Sequence, residues 1–437
     1  MTRPGGVWRN WGRSQKVRPH RIEFPVDEGA VRRAVAAASA RSLTVKAVGA
    51  GHSFSGIAVA AGIMLDLRDL RGLIAVDRER GRVRLRAGTR LWEIPAILAP
   101  YALAMPNLGD IDRQTVAGAI STGTHGTGLR FGGISTQVVG ATLVTADGEL
   151  LRVDDESNPE LLPAVAVGLG ALGILVDVTL QCVPAFVLDA TERLEPLDDV
   201  TGVLRDRVGA ADHFEFYWFP HTDDAVTKEN VRLPQGSPTR PIPPLRRWVD
   251  ESLLANGVYR ATCAVGTVVP ATVPPVARVA SALMGGRTYA DRSHRVFTQS
   301  RTVRFREMEY AVGLDDLTAA FAAVRDLVSE RGWRISFPVE VRVAAADDLW
   351  LSTASGRESG YIAVHRYWRE DPTEYFEAVG EVMRGFSGRP HWGKEHALGA
   401  GELRALYPRF DDFLAVRDRL DPDRLFANPY LARVLGE

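Results

Sequence analysis

Long uncharged runs are missing from this sequence. No window of about 18 apolar residues occurs, which excludes a membrane-crossing helix, and the start "MTRPGGVWRNWGRSQ" lacks the apolar core of a secretory leader. A cytoplasmic protein without an integral membrane segment is expected. Cysteine is scarce too: Cys182 and Cys263 are the only two and stand far apart, so a disulfide framework and a multi-cysteine metal site are excluded. Nor is there an excess of charge of one sign, with 53 Lys and Arg against 54 Asp and Glu, and no basic block interleaved with aromatics. Nucleic acid is therefore not an expected partner. What remains is a chain of 437 residues, 46% hydrophobic, long enough for two domains with substantial cores.

The first 185 residues or so alternate short β-like runs with helical stretches. "TVKAV" (44–48), "GIMLDL" (62–67), "LIAVD" (73–77) and "RVRLRAG" (82–88) read as strands. Before them, Asp27 is placed to cap a helix whose Val31, Val35 and Ala38 recur at i, i+4 and i+7. "VVGATLVTADGELLRV" (138–153) predicts a hairpin turning at Asp147-Gly148, and "GILVDVTLQCVP" (173–184) a strand ended by Pro184. The texture then changes. A proline cluster, "LPQGSPTRPIPPLRRW" (233–248), reads as a surface loop or linker, and 314–332 and the C-terminal "FDDFLAVRDRLDPDRLFANPYLARVL" have helical periodicity. A domain boundary near 185 follows.

Two stretches concentrate Gly, Ser and Thr: "GAGHSFSG" (49–56) and "VAGAISTGTHGTGLRFGG" (116–133). Such loops let backbone N–H groups converge on phosphate oxygens, so a dinucleotide cradle and ordinary turns are both open readings. No Gly-Lys-Ser/Thr follows either one, and "GLGALG" (168–173), which matches the Gly-x-Gly-x-x-Gly spacing, precedes a strand instead of opening a helix. His52 and His125 lack a third ligand at metal spacing, so no metal is expected. In "FPVEVRVA" (337–344), alternation puts Glu340 and Arg342 on one side of a strand and three valines on the other. Spacing alone fits an exposed ion pair as well as a site. His365, in "YIAVHRYW", shares a strand face with Tyr361, Ala363 and Tyr367 and reads equally as pocket lining or a packed histidine.

Taken together, "VGAGHSFSG", "MPNLGDIDRQTVAGAISTGTHGTG", "GLGALGI", "PVEVR" and "RPHWGKEH" resemble the aldonolactone oxidoreductases of the vanillyl-alcohol oxidase flavoprotein superfamily, with alditol oxidases as relatives. The resemblance runs from Trp8 to the terminal "RDRLDPDRLFANPY". It implies an α+β, two-domain fold of the VAO/PCMH type: an FAD-binding domain from residues 1–185, completed by about 405–437, and a cap over 186–404 with an antiparallel sheet. By the same resemblance His52 is bonded to the flavin 8α-methyl, and Gly49, Ala50, Gly51, Ser53, Phe54, Gly109, Ser121, Thr124, His125, Gly128, Gly173 and Ile174 belong to the cofactor site. Glu340, Arg342 and Lys394 are the implied catalytic residues, with Asp110 near the substrate; His391 and His396, which flank Lys394, read equally as neighbours of the site, like His365, or as polar residues of a helix or loop. The implied reaction takes a hydride from a hydroxyl-bearing carbon of an aldono-1,4-lactone, such as L-gulono-1,4-lactone, to flavin N5, with O2 or another acceptor following. A basic group around Lys394 and Arg342 would take the hydroxyl proton. Gly109 corresponds to the position treated in the family as the oxygen gate. Asp110 departs from the serine of alditol oxidases, which favours a lactone over a linear polyol. Oxidation of an alditol, or of a secondary-metabolite sugar or nucleoside, and a non-redox nucleotide-binding module remain the alternatives.

Overall fold

Asp27 begins the first helix as its side-chain oxygen accepts from Ala30 N at 2.7 Å. In the computed structural model, which describes residues 2–4, 6–283 and 286–437, that helix spans Glu28–Ser39 and buries Val31, Ala34, Val35 and Ala38, one stripe at helical spacing. The stripe packs on the parallel strands Val45–Val48 and Ile63–Asp66, part of a four-stranded sheet completed by Arg21–Glu23 and Thr2–Pro4. A second, antiparallel sheet runs in the order Leu150–Asp154, Val138–Val144, Ile174–Gln181, Arg82–Arg86, Leu73–Asp77. Its hairpin turns at Gly148, whose φ of +82° a side chain would resist.

The strand expected to end at Pro184 stops at Gln181. Val183–Pro184 forms a separate two-residue pair with Leu103–Ala104, and the chain then enters the long strand Val187–Pro196. From there an eight-stranded antiparallel sheet is built in the order Arg287–Arg292, Val187–Pro196, Asp224–Arg232, His213–Trp218, Val339–Ala344, Ser359–Tyr367, Phe305–Gly313, Arg389–Pro390. One face packs on the helix Leu317–Arg331 through Phe321 against Phe216 and Trp218. The opposite face carries the charged residues.

The proline cluster is irregular only as far as Pro243. Pro244 opens a helical stretch that runs through Trp248–Val258, in π-helical form, into Tyr259–Val268, with Val273–Leu283 after it. Proline at the first helical position loses no hydrogen bond, so the composition that signals a loop also starts a helix. The C-terminal periodic run is broken into Phe410–Leu420 and Pro429–Leu435. It returns to the first sheets: Val45 N donates to Leu425 O at 2.8 Å, and Asn428 Nδ2 donates to the carbonyls of Gly56, Ile57 and Val59 at 2.9–3.1 Å. Cys182 and Cys263 are free and buried, and burial pushes both thiols up to about 12.

Candidate active site

Backbone forms most of the first cleft. Gly49, Ala50, Gly51, His52 and Ser53 line one side, Gly168, Gly170, Gly173 and Ile174 another, and Ser121 of the short helix Val116–Ser121 faces it. Gly51 and Gly170 sit at φ of +68° and +61°, which lets the chain turn while its N–H groups stay close to a ligand. A Cβ on Gly49 would lie 2.2 Å from Thr115 Oγ1, so this wall admits no side chain. Lys46 closes one end. Its ammonium is buried and donates to Gly170 O at 2.8 Å; burial pulls it down to about 7, with Asp421 acting the other way. Two more N–H donors are left for a ligand. Sequence reasoning passed over Lys46, although a lone cation inside the apolar run "TVKAV" was a signal. At another part of the cleft, His52 stacks on Trp11 with centroids 5.3 Å apart. Burial first, then Arg90, Lys394 and Arg113, hold its imidazole down at about 4, so the ring is neutral at pH 7 with a nitrogen lone pair available.

The polar face of the large sheet follows from its register. Tyr217 pairs with Glu340, Glu340 with Ala363, Arg342 with Tyr361, and Glu307 with His365. Residues directly opposite share a face, as do positions two apart along a strand. Glu215, Tyr217, Lys228, Glu307, Glu309, Glu340, Arg342 and His365 therefore project together. Glu340 and Arg342 are 4% and 7% exposed, which overturns the exposed ion pair that spacing alone allowed. Arg342 Nε donates to Glu215 Oε2 at 3.0 Å and Nη2 lies 3.6 Å from Asp110 Oδ1, while Arg301 Nη2 meets Asp110 Oδ2 at 2.7 Å. Arg342 Nη2 also touches Glu340 Oε1, but outside hydrogen-bond geometry, so both atoms keep unspent hydrogen-bonding capacity. Burial, with Asp110 and Glu215, holds the Glu340 carboxyl above its usual range despite Arg342 and Arg301. Asp110 goes the other way: burial pushes it up, yet Arg301 and Arg342 outweigh that and keep it ionised.

Lys394 is brought to this face by a loop pinned to the first glycine motif. Phe54 N donates to Gly393 O at 2.6 Å and Ser55 Oγ to Trp392 O at 2.8 Å. Its Nζ pairs with Glu307 Oε2, and Glu307 Oε1 lies 3.5 Å from His365 Nε2. Burial alone would lower Lys394, but Glu307 and Glu309 outweigh it and raise it, so Lys394 is a cation. Arg342 is held above its ordinary value as well. Neither is a proton acceptor, which moves the expected base away from these two cations. His365 is packed, with Nδ1 3.0 Å from Pro338 O, and reaches the cluster through Glu307.

His125 lies deeper than the cleft, stacked 3.7 Å on Tyr361 with Nε2 3.2 Å from Glu309 Oε1. His391 joins it: His125, Glu309 and His391 each place one ligand atom within 4.8 Å of the others, a grouping the sequence spacing did not reveal. Gly393 N donates to His391 Nδ1 at 3.0 Å, and burial holds the ring down at about 3. A neutral imidazole accepting at Nδ1 carries its proton on Nε2. His396 turns away from the cluster to Tyr430 Oη, at 2.9 Å. Gly109 sits where a Cβ would be 3.0 Å from His125 O, a tight contact that backbone would have to ease by a few tenths of an ångström to admit a side chain. Thr124 accepts from Gln114 Nε2, which lines the cleft. Phe54 is buried behind the cleft, and Gly128 lies on a seam between the two sheets' domains, its N donating to Val343 O at 2.8 Å. Glu215, Lys228, Arg301, Glu307 and Glu309 escaped sequence reasoning; alternating charges inside "HFEFYW", "TKENV" and "FREMEY" were the available signal for all but Arg301, which lies outside a strand.

Three buried histidines give a pH prediction. Burial lowers His213 to about 4 and His391 and His396 to about 3. The unfolded chain binds these protons near 6.5 and the folded chain does not, so stability is retained above that pH and lost as pH falls toward 4. With His52, held down in the same way at about 4, four protons are taken up on unfolding, and the loss is expected to approach about 5 kcal/mol per pH unit. Urea melts between pH 7 and 4.5 read the slope; a flat profile would refute it.

A glycine-lined cleft and a buried, charged sheet face thus stand together, the pairing of a cofactor site with a polar reaction site. Residues 19–154 match the FAD binding domain model, and residues 178–434 match that of D-arabinono-1,4-lactone oxidase. The chain belongs to the D-arabinono-1,4-lactone oxidase family. It is 42% identical to an L-gulono-1,4-lactone dehydrogenase of Mycobacterium tuberculosis over 98% of this chain and 99% of the relative, and 31% identical to the L-gulonolactone oxidase of Bos taurus over 98% of each. The fold superposes on a cholesterol oxidase from B. sterolicum with a TM-score of 0.81 at 17% identity, covering 100% of this chain and 97% of that one. No helix among the described residues is long and apolar enough to cross a membrane.

Proposed function

We propose that this chain oxidises the hydroxyl beside the carbonyl of an aldono-1,4-lactone, with L-gulono-1,4-lactone as the first candidate. The observation that carries the reading is the buried Glu340, paired with Arg342 and near Arg301, whose carboxyl is nevertheless held above its usual range. Glu340 takes the proton from the reacting hydroxyl. A carboxyl raised toward neutrality suits that task better than a fully acidic one. Arg342 then faces the oxygen on which negative charge grows, and Lys394 holds a neighbouring lactone oxygen with its ammonium donors. Asp110, fixed by Arg301 and Arg342, positions Arg342. FAD, when bound, supplies the acceptor for the hydride. The residues fit it: Gly49, Gly51, Gly168, Gly170 and Gly173 let the walls approach closely, and the buried Lys46 amine offers N–H donors for its polar end.

Anaerobic addition of the lactone tests this directly, with rapid bleaching of the flavin absorbance expected. Persistent colour with L-gulono-1,4-lactone and with other aldonolactones would overturn the reading. We further propose that the neutral His52 ring is bonded to the flavin 8α carbon. Acid-precipitated wild-type protein is then a yellow pellet, and His52→Ala releases all its flavin to the supernatant. A colourless wild-type pellet would refute the bond.

A further inference from the structure

The charged face of the large sheet continues past Tyr217 and Arg301 into a second space. This cavity holds about 560 Å3. Its floor includes Tyr217, Val226 and Phe305 of the sheet, and its roof Leu254, Val258 and Val276 of the helical stretch that begins at Pro244. The walls are mainly apolar. Leu254, Val258 and Val279 line the cavity and are also 38%, 46% and 59% exposed, so the mouth is apolar as well. Among the described residues, nine of the eighteen exposed large hydrophobics fall between 245 and 279, and three of them, Leu254, Val258 and Val279, line this cavity. Such a patch marks a site for an apolar ligand.

The substrate of the proposed reaction does not suit these walls. An aldonolactone carries a hydroxyl on nearly every carbon; the charged groups Glu192, Lys228, Asp250 and Arg287 line part of the cavity, but hydroxyls lying along Leu254, Val258, Val276 and Val279 would lose their hydrogen bonds. The same reaction needs a second partner that accepts two electrons. At the inner end, Phe305 packs on Trp11 with centroids 5.2 Å apart, and Trp11 stacks on His52 at 5.3 Å. Two aromatic contacts thus join the cavity wall to the cofactor cleft. Arg301 and Gln299 add polar groups at the lining, and the Arg301 guanidinium has donors beyond those that face Asp110.

We propose that this cavity binds a lipophilic quinone as the electron acceptor, its head group against Phe305 and Arg301 and its apolar tail leaving past Leu254, Val258 and Val279. The inference rests on the lactone-oxidase reading above for its electron source. The balance is simple: the lactone carbinol loses its C–H and O–H bonds to become a carbonyl, giving up two electrons and two protons. The quinone gains the same two electrons and two protons, and its two carbonyls become the hydroxyls of a quinol.

The test uses the FAD-loaded protein, decyl-benzoquinone and a benzoquinone without the tail. Titration of the oxidised protein should show decyl-benzoquinone binding at least ten times tighter than the tailless compound. After anaerobic bleaching, it should restore flavin absorbance quickly. Val276→Trp and Ala280→Phe, which fill the cavity, should each slow that recovery at least tenfold, with lactone bleaching and recovery with ferricyanide unchanged. Equal binding of the two quinones by the wild-type protein, or recovery unaffected by both plugs, would overturn the proposal. So would plugs that slow lactone bleaching instead, since the cavity would then belong to the substrate. Reduction by light with EDTA runs the quinone arm without any lactone, so failure of the lactone reading is seen separately.

Discussion

Glu340→Gln is expected to lower kcat roughly a thousandfold, within the range lost when a general base is removed, while the flavin spectrum and content stay as in the wild type. Glutamine keeps the volume and one carbonyl oxygen, so packing against Tyr217 and Ala363 across the strands is preserved. What disappears is the ability to accept a proton. The buried carboxyl has its titration displaced upward by burial and by Asp110 and Glu215, so the wild-type enzyme should show an acid limb, with kcat/KM rising as pH climbs through the Glu340 pKa. That limb should vanish in the variant. A merely structural role would leave the limb in place, and a surviving acid limb would assign the base elsewhere.

Lys394→Met is expected to cost about a hundredfold to a thousandfold in kcat, the loss typical of removing one donor to a charged transition state. Stability should fall too. The ammonium sits against Glu307 with Glu309 nearby, and both acids are buried at 4% exposure. Without the cation, two acids share a pocket with His125 and His365, and breaking a buried pair from one side costs about 3–5 kcal/mol. A folded, flavin-loaded variant with kcat within about a factor of three of wild type would remove Lys394 from the reaction. If Lys394 acts on the transition state, kcat and kcat/KM fall together; a change in KM alone would make it a binding residue.

Much of the first half of the chain was legible because its signals are local. The Asp27 cap, the i, i+4, i+7 stripe after it and the Asp-Gly hairpin depend on residues within one or two turns of each other, and the structure holds each where the pattern put it. Failures came where one composition serves two structures. Proline suits a loop and a first helical position equally well, so the helix start at Pro244, inside the 233–248 cluster, read as a loop. On the strand Val339–Ala344 the alternation was correct, but all six residues are buried because the sheet is covered on both faces there. Alternation assigns sides; it does not say which side meets water.

By itself, then, the sequence determined the local elements and the glycine-rich stretches that line the first cleft, and it placed Glu340 and Arg342 on one side of their strand. Only the tertiary structure decided their charge states and their company. Lys394 and Arg342 remain cations and Glu340 is poised to take a proton because burial, and the neighbours Glu307, Asp110 and Glu215, come from strands and loops distant in sequence. Protonation depends on through-space distance and desolvation, which arise only when the eight strands align in register.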